Sequence, residues 1–127
     1  MSFANTSPVF SGARSIRIDE TGWGSFSVHS GTWSQTQHRD PSQYSSLQFR
    51  VYAATAGFNV AVRLENDAKA SFPEVATGVV PAGQWVLVSL PMSQIDPSGA
   101  PFDRIDIRDY TGTTRTYYLD DVQLVGR

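Results

Sequence analysis

Hydrophobic and polar residues alternate with a period of two along most of this chain. Leu47, Phe49 and Val51, for example, alternate with Gln48 and Arg50. The same alternation recurs in residues 15–19, 25–29, 58–65, 86–90, 105–107 and 117–124. It is typical of strands with one face on a core and the other in water, whereas no stretch keeps the spacing of an amphipathic helix over several turns. The pattern therefore predicts an all-β protein.

Gly, Pro, Ser and Asp residues separate the alternating rows. They cluster at residues 22–24, 30–31, 40–42, 56–57, 81–83, 96–99 and 111–112. Many short, half-buried strands at this spacing predict two packed antiparallel sheets, that is, a β-sandwich of about eight strands. A length of 127 residues is that of one domain, so we expect residues 1–127 to share a single core. The alternation changes phase at Asp120-Asp121, which predicts a β-bulge there.

Composition excludes several classes of function. Charged residues make up 17% of the chain and its formal net charge is −2, so we expect no contact with nucleic acid or an anionic membrane. No apolar run reaches the roughly 18 residues that a membrane-spanning helix needs. There is no cysteine, and hence no disulfide, thiol nucleophile or thiolate metal site. The first residues lack the pattern of a signal peptide, and we expect a domain excised from a longer secreted chain, located outside the cell or at its surface.

Several segments, taken in order along the chain, resemble a known group of proteins. They are SPVFSGARSIRI (7–18), GWGSFSV (22–28), YSSLQFRV (44–51), GQWVLVSLP (83–91) and YLDDV (118–122). The ordered set resembles the β-jelly-roll carbohydrate-binding modules that are attached to secreted glycoside hydrolases. The resemblance implies a two-sheet jelly roll, a polysaccharide or oligosaccharide as ligand, and an adjoining catalytic domain in a longer parent chain. It also implies that Trp23 and Trp85 are core residues.

Both ends of the chain bear on a possible metal site. Adjacent carboxylates in a strand, as at Asp120 and Asp121, must reach water, pair with arginine or hold a hard cation such as Ca2+. The resemblance implies a structural Ca2+ with these two residues as ligands. Only residues 1–6 precede the first matching segment, so we expect the first strand of the family pattern to be short, missing or supplied by another chain. A missing strand would remove one calcium ligand and expose a sheet edge.

The resemblance also implies where a ligand would bind. Residues 24–29, 58–65, 73–77 and 103–108 would form one sheet, with its outward side chains on a concave face. Alternation along these strands, together with two loop positions, gives eight candidate carbohydrate-binding residues: Trp33, His29, Asn59, Arg63, Glu65, Asp106, Arg108 and Tyr110. Aromatic faces stack on sugar rings, and charged or amide side chains hydrogen-bond to hydroxyls. The same charges could instead be cross-strand pairs on a wet sheet, and Tyr110 could cap the end of the sandwich.

Three functions are consistent with these patterns. The first is a non-catalytic module that binds a polysaccharide on the concave sheet and targets an attached enzyme to it. The alternative is a structural or assembly module that packs on a partner domain or self-associates through an exposed edge strand. The third, a glycosidase, would need two carboxylates, for which Glu65 and Asp106 are the candidates. Both lie beside arginines, which favour ionised carboxylates, so we expect no enzymatic activity.

Overall fold

The computed structural model describes residues 1–20, 24–30, 37–55, 57–66, 72–110 and 114–127. In this part of the chain nine strands form two antiparallel sheets: β1 (Ser2–Asn5), β2 (Ser15–Glu20), β3 (Phe26–His29), β4 (Tyr44–Ala53), β5 (Phe58–Glu65), β6 (Val75–Val80), β7 (Trp85–Pro91), β8 (Arg104–Asp109) and β9 (Arg115–Gly126). A 3-10 turn, Pro41–Gln43, and one helical turn, α1 (Met92–Ile95), complete the described elements. Neither turn is long and apolar enough to cross a membrane. The prediction of an all-β, two-sheet sandwich is confirmed.

One of the two sheets has the strands that the family resemblance implies. The first contains five strands in the order β1-β2-β9-β4-β7, and the second contains four in the order β3-β8-β5-β6. The second sheet consists of the four segments that the sequence places together, although its edge strand β6 covers Val75–Val80 rather than residues 73–77. β1 has four residues and pairs with β2, so the expected first strand is present and short rather than missing.

The core lies between the two sheets. Inward side chains of β4 and β5 are fully buried, among them Phe49, Val51, Val60 and Leu64. Burying one aliphatic or aromatic side chain of this size stabilises the fold by about 1.5–3 kcal/mol. Because inward and outward positions alternate along a strand, the residues of β5 next to each buried residue lie on the outer face of the four-stranded sheet.

The predicted bulge is confirmed at the two adjacent aspartates of β9. Gln48 of β4 pairs with Gln123, whereas Arg50 pairs with Asp120, so β9 has an extra residue at this point. Asp121 has a φ of 52°, in the left-handed region. This backbone conformation, which asparagine and aspartate tolerate better than most residues, accommodates the extra residue and explains the phase change in the sequence.

The outer face of the five-stranded sheet carries a row of aromatic side chains. Tyr118, Tyr52 and Trp85 are direct neighbours on β9, β4 and β7, and their successive ring centroids are 6.0 and 5.4 Å apart. The Phe10 ring packs against Trp85 at 6.1 Å. Trp85 is therefore not the core residue that the family resemblance implies, because alternation along β7 turns it to the outer face. Trp23, the other expected core tryptophan, lies outside the described residues.

Candidate functional site

The outer side of the four-stranded sheet positions six of the predicted site residues. They are His29 on β3, Asn59, Arg63 and Glu65 on β5, and Asp106 and Arg108 on β8. Tyr110 follows β8 and is 45% exposed, and its N–H donates to the carbonyl oxygen of Asn59 at 2.8 Å. Trp33 lies outside the described residues.

A cleft of about 360 Å³ crosses this face of the sheet. Its lining consists of Ser25, Ala61, Arg63, Glu65, Glu74, Arg104, Asp106 and Arg108. Four of the eight predicted residues are among them, and all four lie on the central strands β5 and β8. The volume falls within the range of small-ligand sites, and the side chains that converge on it are mostly charged.

Three of the predicted residues stay outside the cleft. The side chain of Asn59 accepts the N–H of Gly78 at 3.1 Å, which fastens the bulged part of β6 to β5. Tyr110 lies beside Asn59, at the same end of the sheet. His29 borders a separate opening of about 350 Å³ at the edge of β3, together with core side chains such as Phe102. The cleft therefore lies in the middle of the sheet, and Asn59, Tyr110 and His29 lie towards the margins of the sheet.

Sequence reasoning missed two charged residues of the cleft. Arg104 shares a face of β8 with Asp106 and Arg108, so the alternation itself could have identified it. Glu74 precedes β6, and its partner Arg108 lies two strands away, with β5 between them. That second relationship depends on the order of strands in the sheet, which no local pattern reveals.

A forked ion pair spans the central strand of the cleft. Nε of Arg108 lies 2.9 Å from Oε2 of Glu74, and Nη2 lies 2.7 Å from Oε1. Ala61 on β5 is the register neighbour of Arg108 on one side and of Ala76 on the other, and it is fully buried although it points outward. The pair therefore passes over Ala61, whose single methyl group leaves room for it. We call this feature the Arg108–Glu74 strap.

A second charged group occupies the other half of the cleft. Arg104 contacts the carboxylate of Glu65 and also lies 3.3 Å, at Nε, from Oδ1 of Asp106. The Ser27 hydroxyl donates to the same Oδ1 at 2.5 Å. Arg63 has a looser ion pair, 3.9 Å from Nε to Oε1 of Glu65. The cross-strand charge pairing that the sequence leaves open is thus present, and the cleft contains three arginines and three carboxylates with no net charge.

This arrangement suits binding better than acid–base chemistry. Ion pairs of this kind hold guanidinium donors and carboxylate acceptors in fixed directions, which is what recognition of a hydroxyl-rich ligand needs. Glu65 and Asp106, the candidate glycosidase pair, both contact Arg104. Glycoside hydrolysis needs two carboxyl groups that can reach the substrate, whereas both of these are engaged by the same arginine.

Asp120 and Asp121 hold a loop against the five-stranded sheet. Oδ2 of Asp120 accepts the main-chain N–H groups of Phe10 at 3.1 Å and Ser11 at 3.2 Å, and Oδ1 accepts that of Asp121 at 2.9 Å. The Ser11 hydroxyl donates to Oδ1 of Asp121 at 2.7 Å. Asp120 is buried, and these hydrogen bonds satisfy its carboxylate without a cation.

The surroundings of this aspartate pair do not fit a calcium ion as they stand. Ca2+ takes six to eight oxygen ligands, whereas the groups on Oδ2 of Asp120 are N–H donors that an ion would have to displace. Within the described ranges no group of three or more His, Asp or Glu side chains could hold a metal. A structural Ca2+ at Asp120 and Asp121 stays a prediction.

No family model matches the sequence, and no curated protein matches it either. Solved structures with a similar fold are carbohydrate-binding modules. A variant of the family 29 module CBM29-2 superposes with a TM-score of 0.58 at 19% identity, over 85% of this chain and 68% of its own. Another CBM29-2 variant, complexed with mannohexaose, gives a TM-score of 0.58 at 19% identity over 88% and 70%.

The likeness extends to a second family of modules. The family 11 module of the cellulosomal cellulase Lic26A-Cel5E of Clostridium thermocellum superposes with a TM-score of 0.55 at 13% identity, over 91% of this chain and 76% of its own. At such identities the likeness establishes the fold. The chain has the β-jelly-roll fold of carbohydrate-binding modules, as the sequence predicts.

Proposed function

We propose that this protein is a non-catalytic module that binds an oligosaccharide or polysaccharide in the cleft of its four-stranded sheet. The observation that carries the proposal is the Arg108–Glu74 strap together with the ion pairs of Arg104. These groups form a rigid, charge-balanced row of donors and acceptors across the sheet. Within the same fold, a CBM29-2 variant is complexed with mannohexaose and another with cellohexaose.

The chemistry of the cleft supports a sugar as its ligand. A sugar hydroxyl both donates and accepts, so it can bridge a guanidinium and a carboxylate that already face each other. Hydrogen bonds to charged groups are worth about 1.5–3 kcal/mol each, more than those to neutral groups. Because the groups are already held by one another, binding costs little further loss of side-chain entropy.

We also propose the setting of this module. The family 11 module with the same fold belongs to a cellulosomal cellulase. By analogy, this module would be part of a longer extracellular or cell-surface protein and would hold an adjoining catalytic domain on its polysaccharide. This step rests on a shared fold alone, and the identity of the parent protein would test it.

The first experiment is affinity electrophoresis of the protein through gels that contain one soluble polysaccharide each. A panel of β-glucans, mannans, xylans, pectins and bacterial exopolysaccharides covers neutral and acidic chains. Retardation in one class of gel supports the proposal and identifies the ligand class. Equal mobility in every gel and in the polysaccharide-free gel contradicts it.

The position of the site needs matched variants. Arg108→Ala opens the strap and removes up to two charge-assisted contacts, so we expect affinity to fall about tenfold. Arg14→Ala removes an exposed arginine from a loop outside the cleft and should leave affinity unchanged. Circular dichroism on both variants checks that the fold is intact. A folded Arg108→Ala variant with full affinity would move the site away from this cleft.

A second candidate is assembly through the edge of the five-stranded sheet. The outer side of β1 is a sheet edge, and Phe3 on this strand is 62% exposed. An exposed edge strand with an aromatic residue is a surface on which another strand can pair. Light scattering coupled to gel filtration tests it: a molar mass that rises with concentration and is restored to that of a monomer by Phe3→Lys would favour assembly.

A further inference from the structure

A cluster of buried polar side chains lies between the two sheets and has no part in the cleft. Glu20 on β2 is 4% exposed, and Asp109, at the end of β8, is 0% exposed. Tyr117 and Arg115 on β9 complete the group, which we call the inter-sheet cluster. Buried carboxylates are costly unless they are hydrogen-bonded and paired, so Glu20 and Asp109 require partners inside the protein.

Hydrogen bonds in the inter-sheet cluster tie one sheet to the other. Oε2 of Glu20 accepts the main-chain N–H of Asp109 at 2.9 Å, and Oε1 accepts the hydroxyl of Tyr117 at 3.2 Å. Nε of Arg115 donates to Oδ2 of Asp109 at 2.5 Å, and its guanidinium lies 4.7 Å from the centre of the Phe58 ring. Glu20 therefore links β2 of the five-stranded sheet to β8 of the four-stranded sheet.

The inter-sheet cluster adjoins the end of β8 that serves the proposed ligand site. Asp109 stands in the chain between Arg108, which forms the strap, and Tyr110, which is exposed beside Asn59. Asp109 and Arg115 also mark the two ends of the connection between β8 and β9. A change in the bond from Glu20 to Asp109 thus acts on the backbone that carries Arg108 in the cleft and Tyr110 beside it.

Burial of Glu20 favours binding of a proton. The charged and titratable groups around it in the described residues are Asp109 and Arg108 on β8, the latter with its side chain on the outer face, and Tyr117 and Arg115 on β9. Burial is the largest cause that raises the pKa of the Glu20 carboxyl, and the negative charge of Asp109 raises it as well. Hydrogen bonds from Asp109 and Tyr117 and the positive charge of Arg108 lower it.

Because of the Tyr117 hydroxyl, Glu20 can bind a proton while the inter-sheet cluster keeps its hydrogen bonds. The hydroxyl lies 3.2 Å from Oε1 of Glu20 and 3.5 Å from the carbonyl oxygen of Ile107. When Glu20 is ionised, the hydroxyl donates to the carboxylate. When Glu20 is protonated at Oε1, the carboxyl donates to the hydroxyl oxygen, and the hydroxyl donates to Ile107. Oε2 accepts the N–H of Asp109 in both arrangements, but the bond to a neutral carboxyl is weaker.

We propose that Glu20 is a buried proton-binding residue that positions the end of β8, where Arg108 lines the cleft and Tyr110 lies outside it, so that the geometry of this end depends on pH. The ionised form holds β8 firmly to the opposite sheet, and the protonated form holds it less firmly. The consequence for ligand affinity rests on the proposed function, whereas the structural coupling does not.

The coupling is tested by NMR on the whole protein without a ligand. We expect the amide resonances of Asp109 and Tyr110 to shift with a common midpoint above the ordinary glutamate value when pH is changed between about 4 and about 8. Glu20→Gln should abolish this shift, because glutamine keeps an acceptor for Asp109 but cannot titrate. Asp19→Asn, an exposed acid on the same strand, should retain it. Persistence of the shift in Glu20→Gln, or its absence from the unmodified protein, overturns the proposal.

A second variant covers the case in which Glu20→Gln does not fold. Tyr117→Phe removes the hydroxyl that favours the ionised carboxylate, so the midpoint of the Asp109 shift should move to higher pH. An unchanged midpoint would also overturn the proposal.

The effect on the ligand site is measured with a polysaccharide that the unmodified protein retains. Affinity should fall about fivefold when pH is lowered through the midpoint found by NMR, because the hydrogen bond to a neutral carboxyl is weaker, while Glu20→Gln shows a flat profile. Identical pH profiles in the two proteins contradict the link to affinity. Absence of any retained polysaccharide contradicts the proposed function, and the NMR titration still decides the coupling.

Discussion

Oδ2 of Asp120 accepts the main-chain N–H of Phe10 at 3.1 Å, across a separation of 110 residues. The bond fixes the loop that follows β1 onto the last strand, next to the bulge at Asp121. It also sets the position of the Phe10 ring, which lies 4.2 Å from the guanidinium carbon of Arg50 and packs against Trp85. The Asp120 carboxylate thereby holds both this loop and the Phe10 ring on the outer face of the five-stranded sheet.

Asp120→Ala should destabilise the protein by about 1–3 kcal/mol, because it removes a buried carboxylate that accepts the main-chain N–H groups of Phe10 and Ser11. Urea denaturation would measure the loss. Asp121→Asn is the matched comparison, since the Asp121 side chain accepts a hydroxyl in an exposed position, asparagine tolerates the left-handed backbone, and the change should cost less. Equal losses in the two variants would contradict the role assigned to Asp120.

Removal of calcium should leave the melting temperature unchanged. The carboxylate of Asp120 already accepts N–H groups from Phe10, Ser11 and Asp121, so a cation would have to displace donors that stabilise the protein. Melting curves in excess Ca2+ and in chelator make the comparison. A clear rise in melting temperature with Ca2+, lost in Asp120→Asn, would instead establish the calcium site that the family resemblance implies.

Ala61→Val should weaken ligand binding without unfolding the protein. The added methyl groups lie beneath the Arg108–Glu74 strap and would push it out of the plane of the cleft. We expect a loss of about threefold to tenfold in affinity, since the strap keeps its ion pair but shifts its donors. Ala76→Val, at an exposed position of the neighbouring strand, is the control and should bind normally. Full affinity in Ala61→Val would show that the strap does not touch the ligand.

Trp85→Ala should destabilise the protein while leaving ligand affinity intact. The indole packs against Tyr52 and Phe10 on the face opposite the cleft. Aromatic pairs contribute about 0.5–1.5 kcal/mol each beyond the area they bury, so we expect a loss of about 1–3 kcal/mol in the free energy of unfolding. Chemical denaturation and affinity electrophoresis on the same preparation separate the two effects. A loss of affinity in a folded Trp85→Ala protein would place ligand contacts on the outer face as well.

Glu20→Gln should change how stability depends on pH. The folded state raises the pKa of Glu20 above the ordinary value of 4.5, mainly through burial. A raised pKa means that the stability contributed by this group is fully present below pH 4.5 and is lost as pH rises through the folded-state pKa. The unmodified protein should therefore lose stability relative to Glu20→Gln as pH rises above 4.5. A constant difference between the two unfolding free energies across this range would contradict it.

The alternation along the chain was enough to predict the strands and their inward and outward faces, whereas the membership of the four-stranded sheet came from the family resemblance. A period of two assigns each side chain to a face as soon as one neighbour is known to be buried, which is why Arg63, Glu65, Asp106 and Arg108 were found. The same rule applied throughout would have added Arg104 and would have turned Trp85 away from the core.

Only the tertiary structure decided which outward residues meet. Strand order brings Glu74 within reach of Arg108 across β5, and it leaves His29 and Asn59 at the margins of the cleft. The partner of Asp120 and the link from Glu20 to Asp109 join residues far apart in sequence. Periodicity describes a residue relative to its own strand, whereas a site depends on distances between strands, and those are set by how the two sheets pack.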